Sequence, residues 1–246
     1  MIYHPPNNHY ASPIVKSNDI EIEKVNHINF LGITLDEHLS WKFHINKIHC
    51  KISKVIGIIN HLKKYIPREI LKLLYDTLIM PHLNYGLFVW RHKSGHIFKV
   101  QKKAVRSLTL SRYNAHTDPL FKSLKILKVQ DMYNQQELKF YFRYANKLLP
   151  DFFLDINLPR FIDQHDHYTR RQNDFITYRF KYNLSHCSVM KRLPSVINNS
   201  PANILDKVSS HSLKGYSNYI KIVKLDEYDL ICRNQNCYIC QNCPQI

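Results

Sequence analysis

The amino-acid sequence predicts a mainly α protein with a small N-terminal β-hairpin, a helical bundle and a helical, partly irregular C-terminal region. Residues 20–35 begin with alternating apolar and polar side chains, which is the two-residue period of a strand. From residue 41 onward, apolar side chains recur at helical spacing instead. Only 5 of the 246 residues are glycine, too few for a sandwich or barrel rich in glycine turns. The length allows one large domain or two small ones.

The first predicted elements are a hairpin and a long helix. Residues 20–35 are predicted to form two strands that pair with each other. Ser40 is predicted to cap the helix that follows, because its hydroxyl can accept a hydrogen bond from the first helical turn. The apolar residues of this helix, spaced alternately four and three apart, are Trp41, Ile45, Ile48, Ile52, Val55, Ile59 and Leu62. Such a stripe predicts a helix face that packs on a core.

Further helices are predicted downstream. Pro67 is typical of the first turn of a second helix, and Pro81 is predicted to end or kink that helix. A third helix is predicted over about 96–110. Its predicted core positions are Ile97, Val100, Ala104 and Leu108. Asp118 is predicted to cap a short helix that has Pro119 in its first turn and extends to about Lys125. A longer helix over 129–148, with an aromatic row typical of a core, follows.

These elements divide the chain into five predicted regions. The regions are an N-terminal segment with the hairpin (1–38), a basic helical domain (39–112), a helical continuation (113–150), a polar linker (151–174) and a C-terminal region with a cysteine cluster (175–246). Within the last region, a helix is predicted at about 210–223.

Positive charge is concentrated in one part of the chain. The sequence has 35 Lys and Arg against 19 Asp and Glu, a formal net charge of +16. Residues 40–112 contain fifteen of these basic residues, and their only acidic residues are Glu69 and Asp76. A field of one sign repels itself unless it meets a polyanion, so nucleic acid is the favoured partner. A solvated basic face and an acidic membrane surface are weaker alternatives, and no membrane partner is predicted.

Basic side chains on the first and third helices are the candidate contacts to RNA, DNA or an RNA–DNA hybrid. His44, Lys47, Lys51 and Lys54 repeat at helical spacing beside the apolar stripe, so one side of the helix can face a partner. The complete set of candidate nucleic-acid-binding residues is His44, Lys47, Lys51, Lys54, Lys63, Lys64, Lys99, Lys102, Lys103 and Arg106.

A cysteine cluster near the end of the sequence is a candidate metal site. Cys232, Cys237, Cys240 and Cys243 could enclose one tetrahedral Zn²⁺. Free thiols in a frayed tail fit the spacing equally well, and an iron–sulfur cluster fits it less well. No other cofactor is expected.

The compartment is predicted from the absence of targeting signals. The start of the sequence lacks the apolar run and cleavage site of a signal peptide, and the longest aliphatic runs are too short to span a bilayer. We therefore expect an intracellular protein, nuclear or cytoplasmic, that is neither secreted nor transmembrane. In a reducing compartment, its six cysteines would be free or metal-bound.

No catalytic residue is predicted. The five glycines lie too far apart for a P-loop, a dinucleotide-binding loop or a nucleophile elbow. Chemistry on phosphodiesters requires clustered carboxylates that hold Mg²⁺, and the most basic region of the chain has none. The residues alone therefore predict a nucleic-acid-binding protein without an active site of its own.

Several segments resemble a known family. Residues 28–45, Ile-Asn-Phe-Leu-Gly-Ile-Thr-Leu-Asp-Glu-His-Leu-Ser-Trp-Lys-Phe-His-Ile, are similar to a segment of LINE-type (jockey-like) non-LTR retrotransposon reverse transcriptases. Further similar segments, in the order that the family has them, are 73–85 with Val89-Trp90, Gln101-Lys-Lys-Ala-Val-Arg106, and Ala115-His-Thr-Asp-Pro-Leu-Phe121. Each segment is modestly specific, whereas the ordered set is a strong resemblance.

The resemblance implies a role in RNA-directed DNA synthesis. It would place the end of the polymerase palm at 1–38, with Phe30, Leu31 and Gly32 in a primer-grip-like hairpin, and make 39–112 a thumb-like domain that holds the template–primer duplex. The family's catalytic Tyr/Phe-Ala-Asp-Asp motif lies upstream of the matching segments. We therefore expect a fragment that is inactive alone and that acts with the polymerase core of the same element.

The family's Trp-Asn-x-Leu-Pro motif near the end is retained only as Leu193-Pro194, which is typical of a relaxed or decayed sequence. We therefore expect a fragment of an element, either a truncated gene model or a degenerate copy. Two other functions are weighed against the thumb fragment. The first is a free-standing nucleic-acid-binding or interaction module with the cysteine zinc site, and the second is a complete polymerase or nuclease.

Overall fold

The computed structural model describes residues 14–18, 20–90, 95–153, 158–164, 170–177 and 189–228. In these residues the protein is mainly α, as the sequence predicts, with small antiparallel strand pairs before the first helix. The described helices are α1 (Lys42–Leu62), α2 (Arg68–Leu74), α3 (Met80–Asn84), α4 (Leu87–Trp90), α5 (Gly95–Thr109), α6 (Asp118–Ser123), α7 (Val129–Ala145), α8 (Val189–Asn198), α9 (Ala202–Asp206) and α10 (Leu213–Asp226).

Two hairpins precede α1 in the described part of the chain. The first pairs β1 (Lys16–Ser17) with β2 (Ile20–Glu21), and the second pairs β3 (His27–Phe30) with β4 (Ile33–Asp36). The sequence predicted one hairpin over 20–35. The second hairpin corresponds to most of that prediction, but Ile20 and Glu21 pair with the preceding strand instead.

The apolar stripe of α1 packs on the core as predicted. Its buried residues are Trp41, Ile45, Ile48, Ile52, Ile56 and Ile59. Ile56 replaces the predicted Val55, which is only partly buried, because a straight helix with 3.6 residues per turn drifts from a strict heptad. The helix packs most extensively against α5, whose predicted core positions are all buried.

The start of α1 differs from the prediction. Trp41, not Ser40, is the residue before the first helical turn, and it has a left-handed backbone with φ of 63°. The Ser40 hydroxyl accepts a long bond from the Lys42 amide at 3.4 Å. The buried Asp36 carboxylate instead organises this loop, because it accepts from the amides of Ser40 and Trp41, both at 2.9 Å.

The second predicted helix continues past Pro81. Residues 68–84 form one continuous helix, in which a π-helical turn, Tyr75–Ile79, separates α2 from α3. Proline cannot donate a backbone hydrogen bond, and its ring crowds the carbonyl one turn earlier. The wider π turn lies where that crowding occurs, so the helix widens there instead of ending.

Polar contacts tie the helices to one another. The buried Gln101 side chain donates to the Tyr75 hydroxyl at 3.1 Å and to the Leu127 carbonyl at 2.9 Å. It also accepts from the Val129 amide at 2.9 Å, which satisfies a donor in the first turn of α7. Asp118, predicted as a cap, is instead the first residue of α6 and pairs with Lys128 at 2.7 Å.

The largest core cluster crosses the predicted boundary at residue 112. It joins α1–α5 to Phe121, to Met132 and Tyr133 of α7, and to Tyr228 beyond α10. The predicted linker also contributes to packing, because Leu158 is buried with Phe175 in a smaller cluster against α8. The long helix predicted at 210–223 is present as α10, with the Ser212 hydroxyl accepting from the Gly215 amide.

Candidate nucleic-acid interface

The tip of the second hairpin is a tight two-residue turn with exposed apolar side chains. Leu31 and Gly32 connect β3 to β4 with φ of 46° and 78°. Two left-handed residues suit the twist of a hairpin, but leucine rarely adopts this backbone. The Tyr85 hydroxyl donates to the Leu31 carbonyl, which holds the turn in place. Phe30 and Leu31 are 60% and 74% exposed.

Glycine at position 86 allows the hairpin to lie close to the turn between α3 and α4. Gly86 has φ of 62°, and a Cβ there would lie 2.6 Å from Cδ1 of Ile33 in β4. The Trp90 indole donates to the Tyr85 carbonyl at 3.0 Å and fixes the same turn. The hairpin is therefore seated on α1 and on this turn.

His44 is a predicted contact residue that the structure buries. Its side chain is 3% exposed, and Nδ1 accepts from the Thr34 amide of β4 at 3.3 Å. Burial, with the positive charges of Lys47 and Lys51, lowers the pKa of His44. The imidazole therefore packs against the hairpin, and the prediction that it faces a partner is wrong. His44 lies at the edge of the apolar stripe, where β4 covers it.

The other members of the row are exposed. Lys47, Lys51 and Lys54 lie within an arc of about 60° on α1, at 100° per residue. The Lys47 ammonium donates to Asn29 Oδ1 on β3 at 3.3 Å. The row therefore begins next to the exposed strand of the hairpin.

An aromatic contact joins the same two elements. The rings of His27 on β3 and Phe43 on α1 stack with centroids 5.1 Å apart and an angle of 15° between their planes. Phe43 lies one turn before Lys47, and both are exposed. We define the hairpin–lysine surface as His27, Asn29, Phe30, Phe43, Lys47, Lys51 and Lys54.

His82 adds a further basic group near this surface. Burial and the nearby Lys51 ammonium lower the pKa of His82 on α3. Sequence reasoning missed His82 because it lies in an apolar segment, and missed His27 and Phe43 because no spacing links a strand to a helix. The stacked pair becomes visible only when the hairpin is placed on α1.

The basic residues of α5 are placed on the face opposite its core, as expected, but two of them contact their own fold. The Lys102 ammonium lies 4.4 Å from the Phe98 ring centroid. Arg106 Nε donates to the Ala115 carbonyl at 2.9 Å, and burial lowers the pKa of its guanidinium. Lys99 and Lys103 are exposed.

The remaining members of the predicted set lie beyond the end of α1. Lys63 and Lys64 are in the turn after this helix, where Lys63 donates to Asn60 Oδ1 at 3.0 Å. The row of Lys47, Lys51 and Lys54 is the part of the predicted set that begins beside the hairpin.

The acidic residues of the basic region do not neutralise this row. Asp76 pairs with Lys72, one turn earlier on the same helix, at 2.7 Å. Glu69 is exposed in the first turn of α2, where a negative charge favours the helix dipole.

The predicted zinc ligands lie outside the described residues. Cys232, Cys237, Cys240 and Cys243 fall within 229–246. Within the ranges that the structure describes, no group of three or more His, Cys, Asp or Glu side chains could hold a metal ion. The same ranges contain no helix with the length and apolar composition needed to cross a bilayer.

Comparison with known proteins gives no relative. The chain matches no protein-family model, no curated protein and no solved structure.

Proposed function

We propose that this protein binds nucleic acid through the hairpin–lysine surface, as the thumb-like C-terminal part of a non-LTR retrotransposon reverse transcriptase. One observation carries the proposal: the Lys47–Asn29 bond and the His27–Phe43 stack set the exposed strand β3 directly beside a row of exposed lysines. Lysines bind phosphates and flat rings stack on bases, so the two together suit a polynucleotide.

The charge distribution supports the proposal independently of the resemblance. Residues 40–112 have fifteen basic and two acidic residues, and Asp76 is engaged by Lys72. Exposed basic residues that are not neutralised within the protein bind nucleic acid most favourably, because their contacts with phosphates release the counterions of the nucleic acid.

The resemblance narrows the ligand to a template–primer duplex. In that role, Phe30, Leu31 and Gly32 form the grip-like tip and α1 holds the backbone of an RNA–DNA hybrid. The fragment has no synthesis activity of its own under this proposal, and the polymerase core of the same element supplies the carboxylates. Primer extension with Mg²⁺ by this chain alone is expected to stay at background.

The decisive experiment measures affinity for an RNA–DNA hybrid as a function of salt. If about six phosphates are neutralised, log K falls against log salt with a slope of roughly −5. Replacing Lys47, Lys51 and Lys54 together by Gln should change the slope to about −3, because three phosphate contacts are lost. A control with Lys147, Lys207 and Lys214 replaced by Gln has the same net charge and should keep the original slope.

Two results of the salt titration would contradict the proposal. One is the absence of hybrid binding at low salt, and the other is binding that does not depend on the salt concentration. Equal slopes for the two triple variants would show that the net charge, not the hairpin–lysine surface, is responsible. Duplex DNA and single-stranded RNA, measured beside the hybrid, establish which polynucleotide is preferred.

A further inference from the structure

A cleft of about 210 Å³ lies on a different side of the molecule from the hairpin–lysine surface. It is bounded by the helix 75–84, the segment before α7, α7 itself and α10. Met80 and Asn84 line it, whereas His82, which lies near Lys51, is on the opposite side of α3 at about 100° per residue. The cleft is therefore a separate feature and not an extension of the row on α1.

Three lysines from three different segments converge on this cleft. Lys125 precedes α7, Lys139 lies on α7 and Lys221 lies on α10. Lys139 and Lys221 are half-buried. Burial, with the neighbouring positive charge of Arg143, lowers the pKa of Lys139.

Repulsion from neighbouring ammonium ions acts on Lys221. Burial, and after it the positive charges of Lys72 and Lys125, lower the pKa of Lys221, although Asp76 opposes this. Asp76 is the one acidic residue among the described residues lining the cleft, and it pairs with Lys72 at 2.7 Å. In the described ranges, none of the three cleft lysines forms an ion pair. The cleft therefore has positive charge in excess.

The walls of the cleft are held by amide side chains. Gln135 Nε2 on α7 donates to the Ser217 carbonyl of α10 at 2.8 Å and to its hydroxyl at 3.2 Å. Gln136 Nε2 donates to the Asn84 carbonyl of α3 at 3.3 Å. These bonds connect α7 to α10 and to α3. The helices that carry Lys139 and Lys221 therefore keep a fixed spacing without a ligand.

We propose that this cleft binds a small phosphate-class anion: inorganic phosphate, pyrophosphate or the phosphoryl group of a small ester. The three lysines that line the cleft can donate the charge-assisted hydrogen bonds that phosphate oxygens accept. Phosphate also relieves the repulsion between Lys221 and Lys125, which neither a cation nor a neutral ligand does. The volume is smaller than that of a typical drug-sized pocket, so the cleft suits one or two phosphoryl groups.

The test is titration of the full chain with pyrophosphate, inorganic phosphate and a nucleoside monophosphate by isothermal calorimetry. Saturable binding of at least one is expected. Lys221→Gln should weaken it about tenfold, because a charge-assisted bond is lost. Lys214→Gln, on the same helix but exposed, removes the same charge and should leave the affinity unchanged. Stronger binding of the monophosphate than of phosphate would identify an ester as the ligand.

Three outcomes would overturn the proposal. One is no saturable binding of any of the three anions. A second is equal weakening by Lys221→Gln and Lys214→Gln, which would show only a general charge effect. The third is loss of hybrid binding in Lys221→Gln without any small-anion binding, which would make the cleft part of the polynucleotide surface. Lys125→Gln, in a loop, repeats the measurement if Lys221→Gln fails to fold.

Discussion

Helices α1 and α5 carry similar numbers of basic residues outside a buried apolar stripe, yet these residues make different contacts. On α1, Lys51 and Lys54 are exposed and the Lys47 ammonium donates to Asn29 on β3. On α5, Lys102 lies over an aromatic ring and Arg106 bonds to a backbone carbonyl. A basic residue outside the core face of a helix can therefore be available to a ligand or be engaged by its own fold. A charge count does not distinguish the two.

Charge reversal on α1 should weaken nucleic-acid binding more than any other change proposed below. Replacing Lys47, Lys51 and Lys54 together by Glu should weaken binding of an RNA–DNA hybrid by at least about 100-fold, because attraction becomes repulsion. Fluorescence anisotropy at fixed salt measures the affinity, and circular dichroism checks that α1 still folds. The same reversal at Lys147, Lys207 and Lys214 should have a much smaller effect. If the two variants bind alike, the distinction between these surfaces is wrong.

A second change disrupts the close contact between the hairpin and the turn at Gly86. Gly86→Ala should destabilise the protein by about 2 kcal/mol, since the new Cβ would meet Ile33 at a positive φ. Urea unfolding measures this loss. Gly57→Ala is the matched control, because Gly57 lies inside α1 with open space around it. It should instead stabilise the helix by about 0.5–1 kcal/mol. Equal effects would mean that the hairpin is not seated on this turn.

The aromatic part of the surface makes a third, smaller contribution. Phe30→Ala should weaken hybrid binding about tenfold, which is the usual size of one base–aromatic stack. The free energy of unfolding should change little, because the ring is largely exposed. Tyr113→Ala, at another exposed aromatic side chain, serves as the control and should leave binding intact. A loss of stability without a loss of affinity would assign Phe30 to packing.

On α5, replacing Arg106 should lower the stability of the protein more than its affinity for nucleic acid. Arg106→Gln should cost about 1 kcal/mol of unfolding free energy, because the bond to the Ala115 carbonyl is lost. Its effect on hybrid affinity should be smaller than that of Lys54→Gln, which in turn should leave stability unchanged. Lys103→Gln, exposed on the same helix, controls for the charge. The reverse pattern would mean that the α5 face, not α1, is the binding surface.

The smallest effect is a pH dependence from His44. Its pKa is lowered in the folded protein, so the unfolded chain binds more protons below the ordinary histidine pKa of about 6.5. Stability should therefore fall as the pH is lowered from 7 through the interval between the two pKa values. His44→Gln should reduce this slope, while His61→Gln, at an exposed site, should not. Unfolding curves at pH 7 and pH 5 compare them.

Local pattern predicted most of the helices. The apolar stripe of α1 and the core positions of α5 were correct because burial on one side of a helix imposes its period on the sequence. The predictions failed at the helix starts. At α1, the Asp36 carboxylate accepts from the amides of Ser40 and Trp41 in place of a Ser40 cap, and Asp118 pairs with Lys128, because in each case the folded loop places a charged partner within reach.

The candidate site was predicted in part. The spacing of Lys47, Lys51 and Lys54 placed them correctly on one exposed face, since only local geometry was needed. His44 fits the same spacing and is buried, because β4 covers that edge of the helix. The contribution of His27 and Phe43 depends on a strand meeting a helix, for which the sequence carries no local signal.

Local sequence pattern was enough to predict the helical class, the apolar stripes and the position of the dense positive charge, because each follows from neighbours within a few turns. The packing of the helices determines which basic groups face solvent, which support their own fold, and which three lysines from distant segments line a cleft. Burial and electrostatic neighbours depend on contacts between segments far apart in the chain, and these contacts leave no period in the sequence.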